Sequence, residues 1–398
     1  RFSHELEDFA LLDDAVTGTI LNHDTGQRTT VQADYLIAAD GSASPVRTAL
    51  DISQSGPRDI GHYINVYFRA DFGPWIAHRP ALLYWVAAPG VRGVFQPLDG
   101  QQRWLCQIRF DPQSESPEDY PAERCIEWIR QAVGNDDVGV EVLSIGNWSM
   151  HASVADRWRQ GRAFLVGDAA HQLPPTGGLG LNTGLQDTHN LAWKIAAVSH
   201  GWAGEKLLDS YQAERSSVAR FNADRSLLNS KLVGRITAAA LSGKAEDNAE
   251  AAAKRVRESR HYGNFTGVDL GLVYQAGAFV PDGSDPPHVE DPVSEYIPTG
   301  RPGHRAPHVA LRRAGQEIST LDLFDREFTL LAGAEGQAWV DAARQIAQHR
   351  KIPLSAYRVG PVGQAGLGSN LEDPQAVWLS VYGIESDGAV LIRPDGHV

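Results

Sequence analysis

The segment from residue 161 to residue 194 constrains the fold of this 398-residue chain more than any other. A strand-like run at 163–166 ends in Gly167 and Asp168, and a turn rich in proline and glycine leads to a helix that opens near Gly180. This unit offers one carboxylate and one helix N-terminus to the same ligand. The carboxylate can accept hydrogen bonds from sugar-like hydroxyls, and the first N–H groups of the helix can stabilise negative charge. We expect these N–H groups at Gly180, Leu181 and Asn182.

The glycines of this segment are close to a dinucleotide-binding pattern but do not match it. Gly178, Gly180 and Gly184 form G-x-G-x-x-x-G, which is one residue longer than the G-x-G-x-x-G of a Rossmann turn. A Pro-Pro-Thr sequence also separates them from the strand, so we reject that interpretation of the loop. A tight turn before a core helix would explain the glycines, but not the aspartate at the strand end.

A second segment repeats the pattern of a strand that ends in an acidic turn. The run at 35–38 leads to Asp40 and Gly41, and Ser44 and Arg47 follow on what we predict to be the first turn of a helix. One such unit is common in proteins. Two of them in one chain are less easily dismissed as ordinary turns.

Together the two segments resemble the DG and GD motifs of FAD-dependent aromatic hydroxylases, the class A flavoprotein monooxygenases of the para-hydroxybenzoate hydroxylase fold. Within that superfamily, phenol hydroxylases and aromatic polyketide hydroxylases are the most similar. Residues 208–215 resemble the helix that follows the GD region. Residues 301–308 and 319–324 resemble the entrance to the C-terminal thioredoxin-like domain. The resemblance therefore covers essentially the whole chain.

The resemblance implies an α/β fold: a Rossmann-like domain that binds FAD and NAD(P), an antiparallel-sheet substrate domain, and a C-terminal thioredoxin-like α/β domain. The expected parts are an FAD-binding part with the DG motif (1–56), the substrate-binding sheet (57–150), the rest of the FAD-binding domain with the GD motif and helices (151–275), a linker (276–308) and the thioredoxin-like domain (309–398).

Local patterns refine this layout. A hairpin with its turn at 24–26 is predicted before the DG motif, and helices between 180 and 260, the last of them rich in alanine at 243–260. Strands are predicted at 62–70, 81–87, 103–110, 139–146, 328–332, 354–359 and 377–381, and further helices at 118–134 and 336–349.

One element of the family is missing from the sequence. The family begins with a strand and a G-x-G-x-x-G turn that holds the FAD pyrophosphate, and no such pattern occurs here. We therefore expect that an N-terminal segment is absent from this chain. The alternative is a degenerate flavoprotein scaffold that has lost the pyrophosphate site, binds small aromatic molecules or a partner, and is not catalytic.

The resemblance also implies site residues. Asp168 would bind the ribityl hydroxyls of FAD, and helix N–H groups would face the edge of the flavin ring on which negative charge collects during reduction. A helix cap is the alternative for Asp168, and a surface arginine that caps its own helix is the alternative for Arg47. His171 is interpreted as structural. The implied cofactor-binding residues are Asp40, Gly41, Arg47, Asp168, Pro175, Gly178, Leu179, Gly180, Leu181 and Asn182.

Polar and aromatic residues of the predicted sheet are the candidates for contact with a flat substrate. Period-two alternation places only some of them on the inner face, and the sequence does not fix the register. Packing in the core is the alternative for Trp85 and Trp104. The candidate substrate-binding residues are Asn65, Tyr67, Trp85, Phe95 and Trp104.

The implied activity is hydroxylation of a phenolic or polyketide aromatic ring with NAD(P)H and O2 through a flavin C4a-hydroperoxide. Epoxidation or Baeyer–Villiger oxygen insertion on the same fold is the main alternative, and geranylgeranyl-type flavin reductases share both motifs. The resemblance does not identify a catalytic side chain, the substrate, or the choice between NADH and NADPH.

Composition excludes several other classes of function. The net charge of −13 and the lack of a basic cluster argue against nucleic-acid binding. The chain has no apolar run of the roughly 18 residues that span a bilayer, and no paired Cys/His spacing predicts a metal site. Two cysteines outside any C-x-x-C pattern predict a cytoplasmic protein. Whether the chain forms a homodimer stays open.

Overall fold

The computed structural model describes residues 1–88, 90–100, 102–241, 257, 259, 261, 263–363 and 371–398. The strands are β1 (His4–Leu11), β2 (Val16–Asn22), β3 (Arg28–Ala33), β4 (Leu36–Ala38), β5 (Gln54–Ser55), β6 (Gly61–Arg69), β7 (Tyr84–Ala88), β8 (Val91–Pro97), β9 (Arg103–Phe110), β10 (Glu141–Met150), β11 (Ser153–Ala155), β12 (Arg159–Gln160), β13 (Ala163–Leu165), β14 (His171–Gln172), β15 (Ala310–Arg313), β16 (Gln316–Ser319), β17 (Phe328–Ala332), β18 (Leu354–Gly360), β19 (Leu371–Glu372) and β20 (Ala389–Ile392). The α-helices are α1 (Pro45–Ala49), α2 (Gly73–Ile76), α3 (Ala122–Val133), α4 (Leu179–Ser199), α5 (Lys206–Leu241), α6 (Thr266–Leu270), α7 (Gln337–Arg350) and α8 (Trp378–Tyr382).

The strands that carry the two acidic turns lie side by side. β4 pairs with β13 in parallel, and Leu36 lies opposite Ala163. Because parallel strands end at the same edge of a sheet, both turns leave this pair on one side. The apolar side chains of β13 are fully buried and pack against α4 and α5, and the Tyr211 hydroxyl donates to the Leu165 carbonyl at 2.8 Å. The core thus fixes where the acidic turns emerge.

Three other strands form a small sheet before the first acidic turn. The predicted hairpin is present as β2 and β3, which pair antiparallel around the turn at 23–25. β1 adds a third strand that pairs antiparallel with β2.

The central sheet has five antiparallel strands in the order β10-β6-β9-β8-β7. Strands were expected at 62–70, 81–87 and 103–110, and the structure adds β8 between the last two. Gly93 interrupts the alternation of β8, because a Cβ there would lie 2.7 Å from the Trp128 ring of α3. One face of the sheet is a buried core against α3, and the opposite face is open to α5.

The C-terminal part forms a mixed six-stranded sheet in the order β16-β15-β19-β18-β17-β20. The predicted strand at 377–381 is wrong, since these residues lie in or next to the short helix α8. Asp373 accepts the Trp378 N–H at 2.7 Å, and Gly383 ends the helix with a positive φ of 68°. Trp378 and Tyr382, four residues apart, are both buried with ring centroids 5.6 Å apart. Tertiary burial at helical spacing overrides the β propensity of the run.

Between these parts, residues 276–308 contain no helix and only isolated bridges in the place of the predicted linker. The predicted alanine-rich helix at 243–260 falls outside the described residues, apart from residues 257 and 259. In the part of the chain that the structure describes, none of the helices combines the length and apolar character that crossing a bilayer requires.

A buried ionic cluster connects the C-terminal sheet to the long helices. Glu214 of α5 accepts from Lys194 Nζ at 2.7 Å and from both Arg393 Nη atoms at 2.8 and 2.9 Å. Arg393 also donates to Asp395 at 2.5 and 3.0 Å, and Asn190 of α4 donates to both carboxylates. Two carboxylates and two cations therefore balance each other away from water, as burial of charge requires.

We expect this cluster to make the protein sensitive to acid. Burial alone raises the pKa of Glu214 and Asp395, but the hydrogen bonds and charge of Arg393 outweigh it and hold both pKa values below their usual range. The stabilisation is therefore complete above the unfolded-state pKa values of about 4, and it is lost as pH falls through the lower folded-state values. Urea unfolding at pH 7, 5, 4 and 3, followed by tryptophan fluorescence, measures this loss. A Glu214→Gln variant should show a shallower dependence on pH, and parallel curves would contradict the assignment.

Candidate active site

The first acidic turn is shaped by its own aspartate. Asp40 Oδ1 accepts the Ser44 hydroxyl at 2.6 Å, and Oδ2 accepts the Val46 N–H at 3.0 Å. Both oxygens thus hold the start of α1. Gly41 has a φ of 81°, and a Cβ built there would meet nothing within 4 Å. The turn is fixed by internal hydrogen bonds and open beside Gly41.

Arg47 connects the two acidic turns. It is only 6% exposed, and its Nη1 donates to the Ala169 carbonyl at 3.0 Å while Nη2 donates to the Ser42 carbonyl at 2.9 Å. One guanidinium therefore holds the DG turn against the GD turn. The sequence pointed to Arg47 as a ligand contact, and the structure places it between the two backbones.

The second acidic turn exposes its carboxylate. Asp168 lies in a single 3₁₀ turn (Gly167–Ala169) and is exposed, and within the described residues its side chain makes no hydrogen bond or ion pair. Asp187 of α4 stabilises the turn itself by accepting the Gly167 N–H at 3.2 Å. Asp168 is thus a fixed acceptor that is available to a ligand.

His171 and Arg215 complete the support of this turn. His171 Nε2 lies 2.6 Å from Asp187 Oδ2, and Arg215 Nε donates to Asp187 Oδ1 at 2.9 Å. All three side chains are fully buried. His171 therefore has no access to a substrate, which agrees with the structural interpretation of this residue.

Helix α4 begins with an open N-terminus beside the turn. Gly177 and Gly178 have φ values of 113° and 67°, and no side chain caps the helix. Because the helix begins at Leu179, the N–H groups without a helical partner belong to Leu179, Gly180 and Leu181. The sequence-based expectation also included the Asn182 N–H, but that group lies one residue beyond the free N–H groups. The Asn182 side chain donates to the Gly178 carbonyl at 3.0 Å.

The third glycine of the sequence pattern has a packing role. A Cβ on Gly184 would lie 3.1 Å from Gly167 Cα, so the helix and the GD turn approach each other backbone to backbone. At Gly178, by contrast, an added Cβ would meet nothing within 4 Å. The glycines thus bring α4 close to Asp168 and leave open space at its first turn.

These features fit FAD. An unpaired carboxylate suits the ribityl hydroxyls, and free helix N–H groups suit the polar edge of the flavin ring, on which negative charge collects. The open space beside Gly41 and Gly178 leaves room for a ligand along both turns. The residues present therefore fit one wall of a flavin site.

A cavity of about 280 Å³ lies between the open face of the central sheet, the Pro175–Thr176 turn and α5. The turn is anchored to α5, because the Thr176 hydroxyl donates to the Ser226 carbonyl at 2.7 Å. The cavity therefore begins at the turn that leads into α4. Its lining residues are Ile60, Tyr63, Trp85, Val86, Arg92, Gly93, Val94, Gln107, Arg109, Trp148, Met150, Pro175, Thr176, Ser230, Lys231, Val233 and Gly234.

The predicted substrate residues divide between the two faces of the sheet. Trp85 lines the cavity and is 49% exposed. Asn65 accepts the indole N–H of Trp148 at 2.8 Å, and Tyr67 lies on the same face outside the cavity. Phe95 and Trp104 lie on the opposite face in the core against α3, so they do not line this cavity. For Trp104 this is the core packing already considered as the alternative.

Sequence reasoning missed two aromatic residues that line the cavity, Tyr63 and Trp148. Tyr63 and Trp148 stack with ring centroids 4.6 Å apart and an interplanar angle of 14°. Burial raises the pKa of Tyr63, and the nearby Arg109 partly opposes that shift. Alternation could have identified Tyr63, because Ile64, Val66 and Phe68 of β6 mark the buried face. Trp148 was not found because its strand was predicted to end at residue 146.

The sequence matches known protein families and proteins. The family model described as FAD binding domain matches residues 1–226, and the one described as aromatic-ring hydroxylase, C-terminal, matches residues 299–398. The tetracenomycin A2 monooxygenase-dioxygenase of Streptomyces glaucescens is 38% identical over 406 residues, which cover 100% of this chain and 67% of that protein.

Solved structures agree with these matches. The flavin-dependent monooxygenase PieE in complex with FAD and substrate aligns with a TM-score of 0.86 and 36% identity, over 100% of this chain and 72% of that one. A ternary complex of aklavinone-11 hydroxylase with FAD and aklavinone gives a TM-score of 0.82 and 35% identity, over 100% and 70% of the two chains. The chain therefore belongs to the FAD-dependent aromatic hydroxylases, in the group of the phenol and aromatic polyketide hydroxylases.

Proposed function

We propose that this protein is an NAD(P)H- and FAD-dependent monooxygenase that hydroxylates a phenolic or polyketide aromatic ring. The observation that carries the proposal is the position of the Pro175–Thr176 turn. The turn lies between the open N-terminus of α4 and the aromatic cavity of the sheet. It leads into the helix, and both of its residues line the cavity. A flavin ring on one side of this turn and a flat substrate on the other would lie within reach of each other.

When bound, FAD would supply the redox chemistry, with NAD(P)H as the electron donor and O2 as the source of the transferred oxygen atom. The chain's own residues would position the cofactor and stabilise the negative charge that develops on it. Asp168 would accept hydrogen bonds from the ribityl hydroxyls, and the N–H groups of Leu179, Gly180 and Leu181 would stabilise negative charge at a fixed helix terminus. Asp40, Gly41 and Arg47 would complete the wall by holding the DG turn in place.

The cavity would orient the substrate and exclude water from it. The stacked pair Tyr63–Trp148 and the half-exposed Trp85 offer flat apolar surfaces, and Met150 and Val94 add apolar contacts. Flat apolar surfaces of this kind match an aromatic ring in shape and polarity. We also propose that the C-terminal sheet is the thioredoxin-like domain of this family. Since both cysteines of the chain precede it, it would have no thiol chemistry.

The visible absorption spectrum of the purified protein, before and after anaerobic addition of NADPH or NADH, tests this function. A flavin spectrum that bleaches, faster in the presence of a phenolic substrate, is the expected result. Product formed under ¹⁸O2 should carry one heavy oxygen on an intact aromatic ring, whereas an epoxide or a ring-expanded lactone would indicate the alternative oxygen insertions. A full-length protein that takes up no flavin from added FAD would refute the proposal.

A further inference from the structure

The cavity has an unusual distribution of charge. Its described lining contains three cations, Arg92, Arg109 and Lys231, and no aspartate or glutamate. This contrasts with the chain as a whole, which has 49 acidic and 36 basic residues. A positive cavity in an acidic protein indicates a ligand of opposite charge.

The two arginines lie side by side on neighbouring strands. The register that pairs Gly93 with Ile108 and Val94 with Gln107 places Arg92 beside Arg109 on the cavity face. On the other side of Arg109, Tyr63 lies opposite it, and Trp148 lies opposite Tyr63. One row across the sheet therefore runs from two stacked aromatic rings to two guanidinium groups.

Neighbouring like charges on a sheet cost stability unless something compensates them. Two other exposed arginines of this sheet have acidic partners: Arg69 pairs with Glu141 at 3.2 Å and Arg103 with Asp99 at 3.8 Å. Within the described residues, Arg92 and Arg109 form no ion pair or hydrogen bond through their side chains, and neither does Lys231 on the facing helix α5. The cations of the cavity are thus available to a ligand.

We propose that the substrate of this enzyme is an aromatic carboxylate, with its ring against Tyr63 and Trp148 and its carboxylate between Arg92, Arg109 and Lys231. This inference rests on the proposed function and specifies its substrate class. Planar guanidinium forks match a carboxylate through paired hydrogen bonds, which favours this group over a single phenolate oxygen. The anion sets the direction in which the ring enters the cavity, because only one end of the row is cationic.

Equilibrium binding of two matched probes tests the proposal without any turnover. Isothermal titration of the purified protein with 3-hydroxy-2-naphthoate and with its neutral carboxamide compares the same ring with and without the charge. We expect the carboxylate to bind about tenfold tighter or more. Arg109→Gln and Arg92→Gln should each reduce this ratio severalfold, as should Lys231→Gln on the separate helix. The matched control Arg69→Gln, on the same sheet outside the cavity, should leave the ratio unchanged.

Equal affinity for the two probes, or no binding of either, overturns the proposal, whereas flavin bleaching by NADPH would still support the hydroxylase function. A second arm uses NADP⁺ as a competitor. If NADP⁺ displaces the naphthoate and its own binding is lost in Arg109→Gln, the cations serve the nicotinamide cofactor and the substrate assignment is wrong. Failure of NADP⁺ to compete supports it.

Discussion

Glu214→Ala is expected to lower the free energy of unfolding by about 3–5 kcal/mol, because it leaves two cations buried without their shared partner. Lys194 is fully buried and Arg393 nearly so, and both donate to this carboxylate. Burial lowers the pKa of Lys194 to about 8 although Glu214 acts in the opposite direction. The variant also removes the acceptor of the Ala278 N–H at 2.7 Å.

Urea unfolding at pH 7, followed by tryptophan fluorescence, measures this effect. Trp193 is a suitable reporter, since Arg393 lies 5.2 Å from its ring centroid. Glu205→Ala is the matched control: its carboxylate pairs with Arg162 at 2.8 Å but is half exposed, and we expect a loss of less than about 1 kcal/mol. Similar losses in the two variants would mean that the buried cluster does not stabilise the contact between the helices and the C-terminal sheet.

Asp168→Ala is expected to weaken FAD binding by about tenfold or more while leaving stability nearly unchanged. The carboxylate is exposed and without an intramolecular partner in the described part of the chain, so its removal breaks no contact of the fold. Charge-assisted hydrogen bonds to the ribityl hydroxyls, in contrast, would each contribute about 1.5–3 kcal/mol. The affinity is obtained by titrating flavin-free protein with FAD and following the quenching of flavin fluorescence.

Two further variants sharpen this test. Asp168→Asn keeps an acceptor oxygen without the charge and should lie between the wild type and the alanine variant. Asp209→Ala removes a carboxylate that is also exposed but pairs with Arg159 at 2.6 Å away from the turns, and it should bind FAD normally. If Asp168→Ala binds FAD as tightly as Asp209→Ala does, Asp168 is not a flavin ligand.

The sequence predicted correctly those elements that depend on neighbouring residues, such as strands and turns. The runs at 35–38 and 163–166 end in aspartate turns, and both are strands at nearly those bounds. Their parallel pairing, and the guanidinium of Arg47 between the two turns, depend on contacts across more than 120 residues. No local pattern contains that information. The short helix α8 was missed for the same reason, since its buried rings rather than its propensities decide its form.

The aromatic candidates for substrate contact show what the strand register adds to the information in the sequence. In β9 the buried set of Trp104, Cys106, Ile108 and Phe110 alternates with Arg103, Leu105, Gln107 and Arg109, so the sequence alone contained the correct face. In β8, Gly93 breaks the alternation, and only the pairing with β9 assigns Phe95 to the core. Lys231 comes from a helix more than 100 residues further along, and its place in the cavity follows from the tertiary fold alone.

The alternation of β6 and β9 has a consequence for how such enzymes diversify. Residues that hold the sheet on α3 and residues that face the cavity occupy separate positions of the same strands. We therefore expect that residues of the cavity set can be exchanged at little cost in folding, because they do not pack in the core against α3. The same separation suggests a unit for protein engineering, in which the cavity-facing positions of the two strands are redesigned together while the core positions stay unchanged.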